Sequence, residues 1–594
     1  MFRRFSSLLP FIGILAVAAT YLMWAGLRWQ ANFNADEASY GIVARDILNG
    51  HGWPIYLYGM NYGGTLTAYF CVPFVWLLNG SVAGLRLGST ILFLLFLTLQ
   101  GIFVSKIWEP TVAWISMLLL SIPFVFGIFL IGPMPGIAMY MSLSTGAMIA
   151  FFCWKPTSTR MHFLRIWTIG FLMGLALWCL PLTRLYAIVL LFIAFLQLEE
   201  WTTIRTWIGA SFKALHPLLR AALSAVLFAA LALVVLKLTY SRQLHTAVPI
   251  VVTLGFFCIV ASKRKLFLLS SLCVLLLGFA MGNAPQWGAW VFLGIAPDSS
   301  YYPSIPTLAD FQQMFLAVFP LVLNGVNIPT LLANHEWIDT FFGAAWFIIA
   351  LVSLLFFAWH SKTAIRRLFA FRIEQEDTGK IALLLLFLLP LLAIPGLDSI
   401  NSGMIRYATP SWQAAAVIMA IEGTRFLRRS GCAFAIVLLI WMMHIGVNIA
   451  LMSGSWPAKT GMFQKTNIDA MTTYLHERGV VSGFANYWLA QPVQYITKDE
   501  LLIAADGFAY RNPRVADAAY NAKRFVYIFG PPWGNWLQPG AITTGPELSA
   551  LLRKERHDVD GKLLERIERA TVEERKTLLD WTFWILQDPD GPSS

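Results

Sequence analysis

The chain has 594 residues, 58% of them hydrophobic and only 13% charged, with a mean hydropathy of +0.64. Soluble proteins carry about 25% charged residues, so this composition excludes an ordinary soluble enzyme and calls for a membrane as solvent. The net charge of +11 does not imply nucleic acid, because Lys and Arg cluster in short links between apolar runs, as in cytoplasmic loops.

The first apolar run extends from Leu8 to about Leu27 and follows Arg3 and Arg4. It is longer than the roughly 7–15 residues of a signal-peptide core and matches the about 20 residues that a bilayer needs. We expect an uncleaved first transmembrane helix with a cytoplasmic N-terminus. Further spans are expected near 85–105, 110–131, 138–154, 165–180, 184–200, 221–239, 247–262, 266–283, 338–360, 381–397, 408–424 and 432–453, which makes about thirteen helices. Basic residues orient them. Alternate links hold Lys106, Arg160, Lys213, Lys263, Arg366 and Arg425, while the stretch from Asn283 to Thr340 has neither Lys nor Arg. The first loop (29–84), the long loop (284–337) and everything after 453 are therefore expected outside, on the periplasmic face of an inner membrane. The chain reads as a mostly α transmembrane domain (1–453) followed by a soluble α/β domain (454–594).

In that last region "NIDAMTTYLHERG" reads as a helix ending at Gly479, and "RFVYIFG" as a strand. "TVEERKTLL" reads as a helix opened by a Thr571–Glu574 capping box. "NYWLAQPVQYIT" and "GPPWGNWLQPG" concentrate Tyr487, Trp488, Trp533 and Trp536; aromatics stack on sugars, but these read first as anchors at the membrane interface. Six cysteines lie in or beside apolar segments with no CxxC spacing, so no disulfide framework or zinc site is expected.

The informative stretch is the first loop, "ANFNADEASYGIVARDILNGHGWPIY". Asn34 and Glu37 make a capping-box pattern, and Asp36 and Glu37 suit the positive end of a helix. Ala38, Ile42, Ile47 and Leu48 fit a helix lying along the membrane surface. A first loop of the form D-E-x-x-Y-x-x-x-A-R-x-x-x-x-G, carried by Asp36, Glu37, Tyr40, Ala44, Arg45 and Gly50, is followed by Tyr62, Gly63 and Arg86. Later come "GFLMGLALW" (170–178) and "RYATP" (406–410). In these motifs the chain resembles the type C (GT-C) integral-membrane glycosyltransferases, among them protein O-mannosyltransferases and lipid A aminoarabinose transferases.

That resemblance implies a GT-C-like bundle that moves a sugar from a polyprenyl-phosphate-linked donor to a lipid, glycan or protein acceptor at the outer face. Phosphate is a good leaving group, so the chemistry needs a base for the acceptor hydroxyl and a cation for the departing phosphate. By resemblance Asp36 is the base and Glu37 its neighbour in the catalytic pair. Arg406 is the phosphate contact, because guanidinium binds phosphate bidentately. Tyr40, Arg45, Tyr62, Arg86, Arg184 and Tyr407 complete the expected substrate-binding set. No cofactor is required on this reading. "HEWID" (His335, Glu336, Asp339) offers metal ligands at helical spacing but reads as a cap on the next span. The alternatives are a polytopic transporter or flippase of lipid-linked glycans, and a catalytically inactive scaffold of the same fold.

Overall fold

The structure is a computed structural model, and it describes residues 9–28, 33–58, 60–123, 132, 136–197, 265–293, 307–323, 337–369, 374–396, 406–454, 465–507, 512–529, 542–555, 559–578 and 581–589. In chain order the principal helices are α1 (Leu9–Arg28), α2 (Ala35–Leu48), α3 (Leu66–Leu77), α4 (Val82–Ile107), α5 (Pro110–Ser121), α6 (Ile137–Phe152), α7 (Thr159–Cys179) and α8 (Thr183–Leu196). They continue with α9 (Lys265–Gly282), α10 (Ala284–Leu293), α11 (Trp337–His360), α12 (Thr378–Ala393), α13 (Thr409–Arg429) and α14 (Gly431–Gly454). A two-stranded hairpin, β1 (Tyr56–Leu57) and β2 (Met60–Gly64), interrupts the first loop.

Four helical segments among the described residues are long and apolar enough to cross a bilayer: Leu9–Leu27, Val82–Ile107, Thr159–Cys179 and Phe341–His360. The chain is a membrane protein. Helices α5, α6, α8, α9, α12, α13 and α14 stand where further spans were expected. The spans expected near 221–239 and 247–262 lie outside the described residues.

The chain divides into two compact units. One holds Met1–Leu22, Thr90–Leu130 and Gly136–Ala450. Within it α7 and α9 cross at backbone distance: a Cβ on Gly170 would lie 2.2 Å from the Leu275 carbonyl oxygen, and one on Gly174 2.3 Å from that of Phe279. Gly278 and Gly282 answer them, 2.4 Å and 2.2 Å from the carbonyl oxygens of Trp167 and Phe171. Small residues four apart let membrane helices pack backbone to backbone, which is the structural use of "GFLMG" and of its counterpart "GFAMG". Helix α13 is buried from Thr409 to Glu422. Its Gln413 donates to Gln100 (2.7 Å) and Thr145 (3.1 Å) and accepts from the Tyr186 hydroxyl.

The other unit holds Met23–Ser89, Ile131–Pro135 and Leu451–Ser594. The first loop, which the sequence division grouped with the transmembrane segments, thus packs with the C-terminal region. That region runs α15 (Lys465–His476), β3 (Ser482–Ala485), α16 (Tyr487–Ile496), β4 (Leu502–Ala505), α17 (Pro513–Asn521), β5 (Arg524–Phe529), α18 (Gly545–Glu555), α19 (Gly561–Arg569), β6 (Thr571–Leu578) and β7 (Trp581–Gln587). The five strands form one sheet in the order β4-β3-β5-β7-β6, with β3 parallel to β4 and β5, and β7 antiparallel to β5 and β6. Both faces are covered. Val526 and Ile528 pack with α15 and α16 residues such as Met471, Leu475 and Val493; Phe525 and Tyr527 pack with Leu552, Leu563 and Ile567.

One sequence expectation fails here. Thr571–Leu578 is a strand, not a capped helix: it pairs along its length with the buried β7 and carries its charges outward as an edge strand. Glu574 spends its carboxylate on Arg478 (2.6 Å) and on the Tyr474 hydroxyl (2.9 Å) rather than on a helix end. Tyr487 hydrogen-bonds Ser39 and Asp36 on α2. Trp533 and Trp536 lie outside the described residues.

Candidate active site

Helix α2 is set by strong end signals. The Asn34 side chain accepts from the Glu37 backbone N–H (3.0 Å) at its start. At its end the Gly50 N–H reaches the Ile47 carbonyl (3.2 Å) and the His51 N–H the Asp46 carbonyl (2.8 Å). Gly50 has φ +72°, a left-handed conformation that glycine adopts without strain. Every residue from Ala35 to Asp46 is buried. The helix is therefore enclosed by protein, against α3 and α16, and the expectation of an amphipathic helix on the membrane surface is corrected. Its polar groups find protein partners, so it needs no polar face toward water.

The adjacent acids take different partners. Glu37 receives Arg86 on both oxygens, Nε to Oε1 at 2.7 Å and Nη2 to Oε2 at 2.9 Å, and both side chains are almost fully buried. Arg86 also donates to the Gly26 carbonyl (2.7 Å). A Cβ on Gly132 would lie 2.9 Å from the Glu37 carboxyl carbon, so that glycine leaves just enough room for the pair. The capping-box pattern is half used: Asn34 caps, while the Glu37 side chain is given to Arg86.

Asp36 is 6% exposed. Its Oδ1 accepts from the Tyr487 hydroxyl at 3.2 Å, and the same hydroxyl is 3.1 Å from the Ser39 hydroxyl. Ser39 in turn donates to the Ala35 carbonyl (2.9 Å). Tyr40 is fully buried in the apolar cluster around α2.

The far end of α2 is a latch. Arg45 donates to the carbonyls of Tyr495 (2.9 Å) and Gln494 (3.3 Å) and pairs with Asp499 (2.7 Å). Arg514 bridges Asp499 (3.0 Å) and Asp46 (3.2 Å), and Asp46 also accepts from the Tyr58 hydroxyl (2.8 Å). Burial, and then the Asp46 carboxylate, push the Tyr58 phenol well above its ordinary range. Lys498 and Asp499 both adopt positive φ, 54° and 67°, a costly turn for residues with side chains that this network holds in place. Arg45, expected to bind substrate, is here engaged by the C-terminal region.

Tyr62 lies in β2, with its side chain outside the described residues. Arg184, Arg406 and Tyr407 belong to the other unit. Arg184 is in the first turn of α8 and half-buried. Arg406 is half-buried in the turn before α13, with its guanidinium carbon 5.0 Å from the Tyr407 ring centroid. Its carbonyl accepts from Thr409 (3.3 Å), whose hydroxyl also bonds Tyr140. His335 and Glu336 of "HEWID", and the side chain of Asp339, lie outside the described residues. The acids that come together among the described residues, Glu374, Glu376 and Asp377, are already bridged by Arg367.

Sequence reasoning missed Tyr487, Asp499 and Arg514. The Tyr487 signal was present as an aromatic cluster at a helix start, but it carried no pointer to a partner 451 residues away.

No protein-family model matches this sequence, and no curated protein matches it. The solved structures to which the chain is similar include ArnT from Cupriavidus metallidurans bound to undecaprenyl phosphate, at 11% identity over 98% of this chain and 99% of that one, with a TM-score of 0.48. They also include the archaeal oligosaccharyltransferase AglB from Archaeoglobus fulgidus, in complex with an inhibitory peptide and a dolichol-phosphate. That likeness is 15% identical over 87% of this chain and 69% of that one, with a TM-score of 0.45.

Proposed function

We propose that this chain is a glycosyltransferase that moves a sugar from a polyprenyl-phosphate donor to an acceptor hydroxyl at the periplasmic face of the inner membrane. On this reading about thirteen spans place the N-terminus inside and the C-terminal region outside. Asp36 takes the proton of the acceptor hydroxyl as its oxygen bonds the anomeric carbon. The bond from that carbon to the phosphate oxygen breaks, and polyprenyl phosphate leaves with the electron pair. Arg406 is the proposed cation for that phosphate; its planar fork suits the group better than an ammonium. The step as written uses no metal.

The observation that carries the reading is the division between neighbouring acids. Glu37 is neutralised on both oxygens by Arg86, whereas Asp36 is buried and engages a tyrosine hydroxyl. A carboxylate kept from water and served by a hydroxyl is suited to general-base work. The resemblance of the first-loop motif to the type C transferases supplies the reaction class. Lipid and glycan mass spectrometry of cells lacking the chain tests it. One sugar should disappear from one acceptor while a polyprenyl-phosphate-linked sugar accumulates, and an unchanged profile would contradict the proposal. Arg406→Lys should restore only part of the product and Arg406→Gln almost none; full product from the Gln form would remove Arg406 from the phosphate site.

A further inference from the structure

The C-terminal region delivers a side chain to the proposed base. Along α2, Asp36 and Arg45 are nine residues apart, about 13 Å of helix; along α16, Tyr487 and Tyr495 are eight apart, about 12 Å. The two helices therefore run in matched register, gripped at one end by Tyr487 on Asp36 and Ser39 and at the other by Arg45 on the Tyr495 carbonyl. Between the grips the contact is tight: a Cβ on Gly41 would lie 2.4 Å from the Tyr495 ring, and the Tyr495 hydroxyl is tied to the Ser81 carbonyl (3.2 Å). Tyr487 begins α16, and the Asn486 side chain caps that start by accepting from the Trp488 N–H (2.8 Å). Tyr487 is thus fixed from both sides.

Counting protons sets the direction of the hydrogen bond. An ionised carboxylate only accepts, so the Tyr487 proton is directed to Asp36. Ser39 has one proton, shared between the Ala35 carbonyl (2.9 Å) and the Tyr487 oxygen (3.1 Å), so the tyrosine accepts from Ser39 and keeps its own proton for Asp36. We infer that Tyr487 is the positioning residue of the Asp36 carboxylate, so that the C-terminal region is a working part of the transfer site rather than an appended domain. This rests on the reading of Asp36 as the base.

A hydroxyl donated to the ionised form favours that form, and its removal should make Asp36 easier to protonate. Glu37 is paired with Arg86 from α4, and at the far end Arg45 and Asp46 are paired with Asp499 and Arg514. Tyr40, Tyr56, Tyr69, Cys71 and Tyr495, on the packed elements, are phenols and a thiol without charge at neutral pH.

The test uses the full chain in membranes. Dicyclohexylcarbodiimide reacts with protonated carboxyls, and peptide mass spectrometry over a pH series reads the labelling midpoint at Asp36. Tyr487→Phe keeps the ring and removes the proton; its midpoint should rise by about one pH unit, with transfer product per folded protein falling about tenfold. A fluorinated tyrosine at 487, a stronger donor, should lower the midpoint. An unmoved midpoint in Tyr487→Phe overturns the inference, as does a raised midpoint with product unchanged. Asp36→Asn separates the two claims: full product from that variant ends the base assignment, whatever Tyr487 does to the titration.

Discussion

In one compact unit α7 and α9 meet through Gly170, Gly174, Gly278 and Gly282, backbone against backbone. In the other, α2 and α16 meet through Gly41 under Tyr495, with polar grips at both ends. The first contact is a matter of shape, since lipid gives apolar helices little reason to associate and close approach supplies the attraction. The second is a matter of partners, because buried polar groups must find donors and acceptors. A shape contact holds elements together and is indifferent to protons. A partner contact also delivers particular atoms, which is why the candidate chemistry is found there.

Substitutions should expose that difference, beginning with the largest effect. Gly174→Leu has no room, because even a Cβ would lie 2.3 Å from a backbone oxygen. Folded, detergent-extractable protein should be lost, as read by size-exclusion yield. Next comes Glu37→Gln, which leaves the Arg86 guanidinium buried without its counter-charge and should cost about 3–5 kcal/mol in thermal unfolding. The double variant Glu37→Gln with Arg86→Gln should recover part of that, because no lone charge remains. Gly41→Ala is smaller. Its methyl presses on a ring tied in place, an overpacking cost of about 1–3 kcal/mol, and thermal unfolding should show it with α7–α9 unaffected.

The smallest effect is a pH dependence in the C-terminal sheet. Arg478 first, and the Tyr474 hydroxyl after it, hold the Glu574 carboxyl below its ordinary value. The stability it contributes is present above the unfolded carboxylate range and lost as pH falls through the depressed folded value. Tyr474 runs the other way: burial, then Glu574, push its phenol from 10.0 up to about 12. The native state keeps that proton longer than the unfolded chain, so stability is full below pH 10.0 and declines toward about 12. Glu574→Gln should flatten the acid limb of a pH-stability curve; an unchanged limb would count against the pair.

What the sequence made legible follows the same division. Apolar runs and basic links gave the helices of the membrane unit, because hydropathy is a local property of a segment. "GFLMG" was noticed as a motif, but its role as a contact depends on "GFAMG" more than a hundred residues later. The acids Asp36 and Glu37 were visible together; their separation into two roles was not, since it is made by Arg86 across 49 residues and Tyr487 across 451. Thr571–Leu578 was misread because a local capping pattern was outweighed by pairing with the buried β7. Arg45 looked like a binding residue because it stands in the first-loop motif and carries a guanidinium, and neither points to the carbonyls of Tyr495 and Gln494 that claim it.

The central claim is that, of two neighbouring buried acids, Asp36 does chemistry while Glu37 holds structure. The most direct measurement is transfer product per folded protein in cells that carry only Asp36→Asn, read by lipid and glycan mass spectrometry. Asparagine keeps the shape and the first-turn polarity, so protein level should stay near wild type, while product falls roughly 10²–10⁴-fold. Product at the wild-type level from a normally folded Asp36→Asn chain would contradict the account.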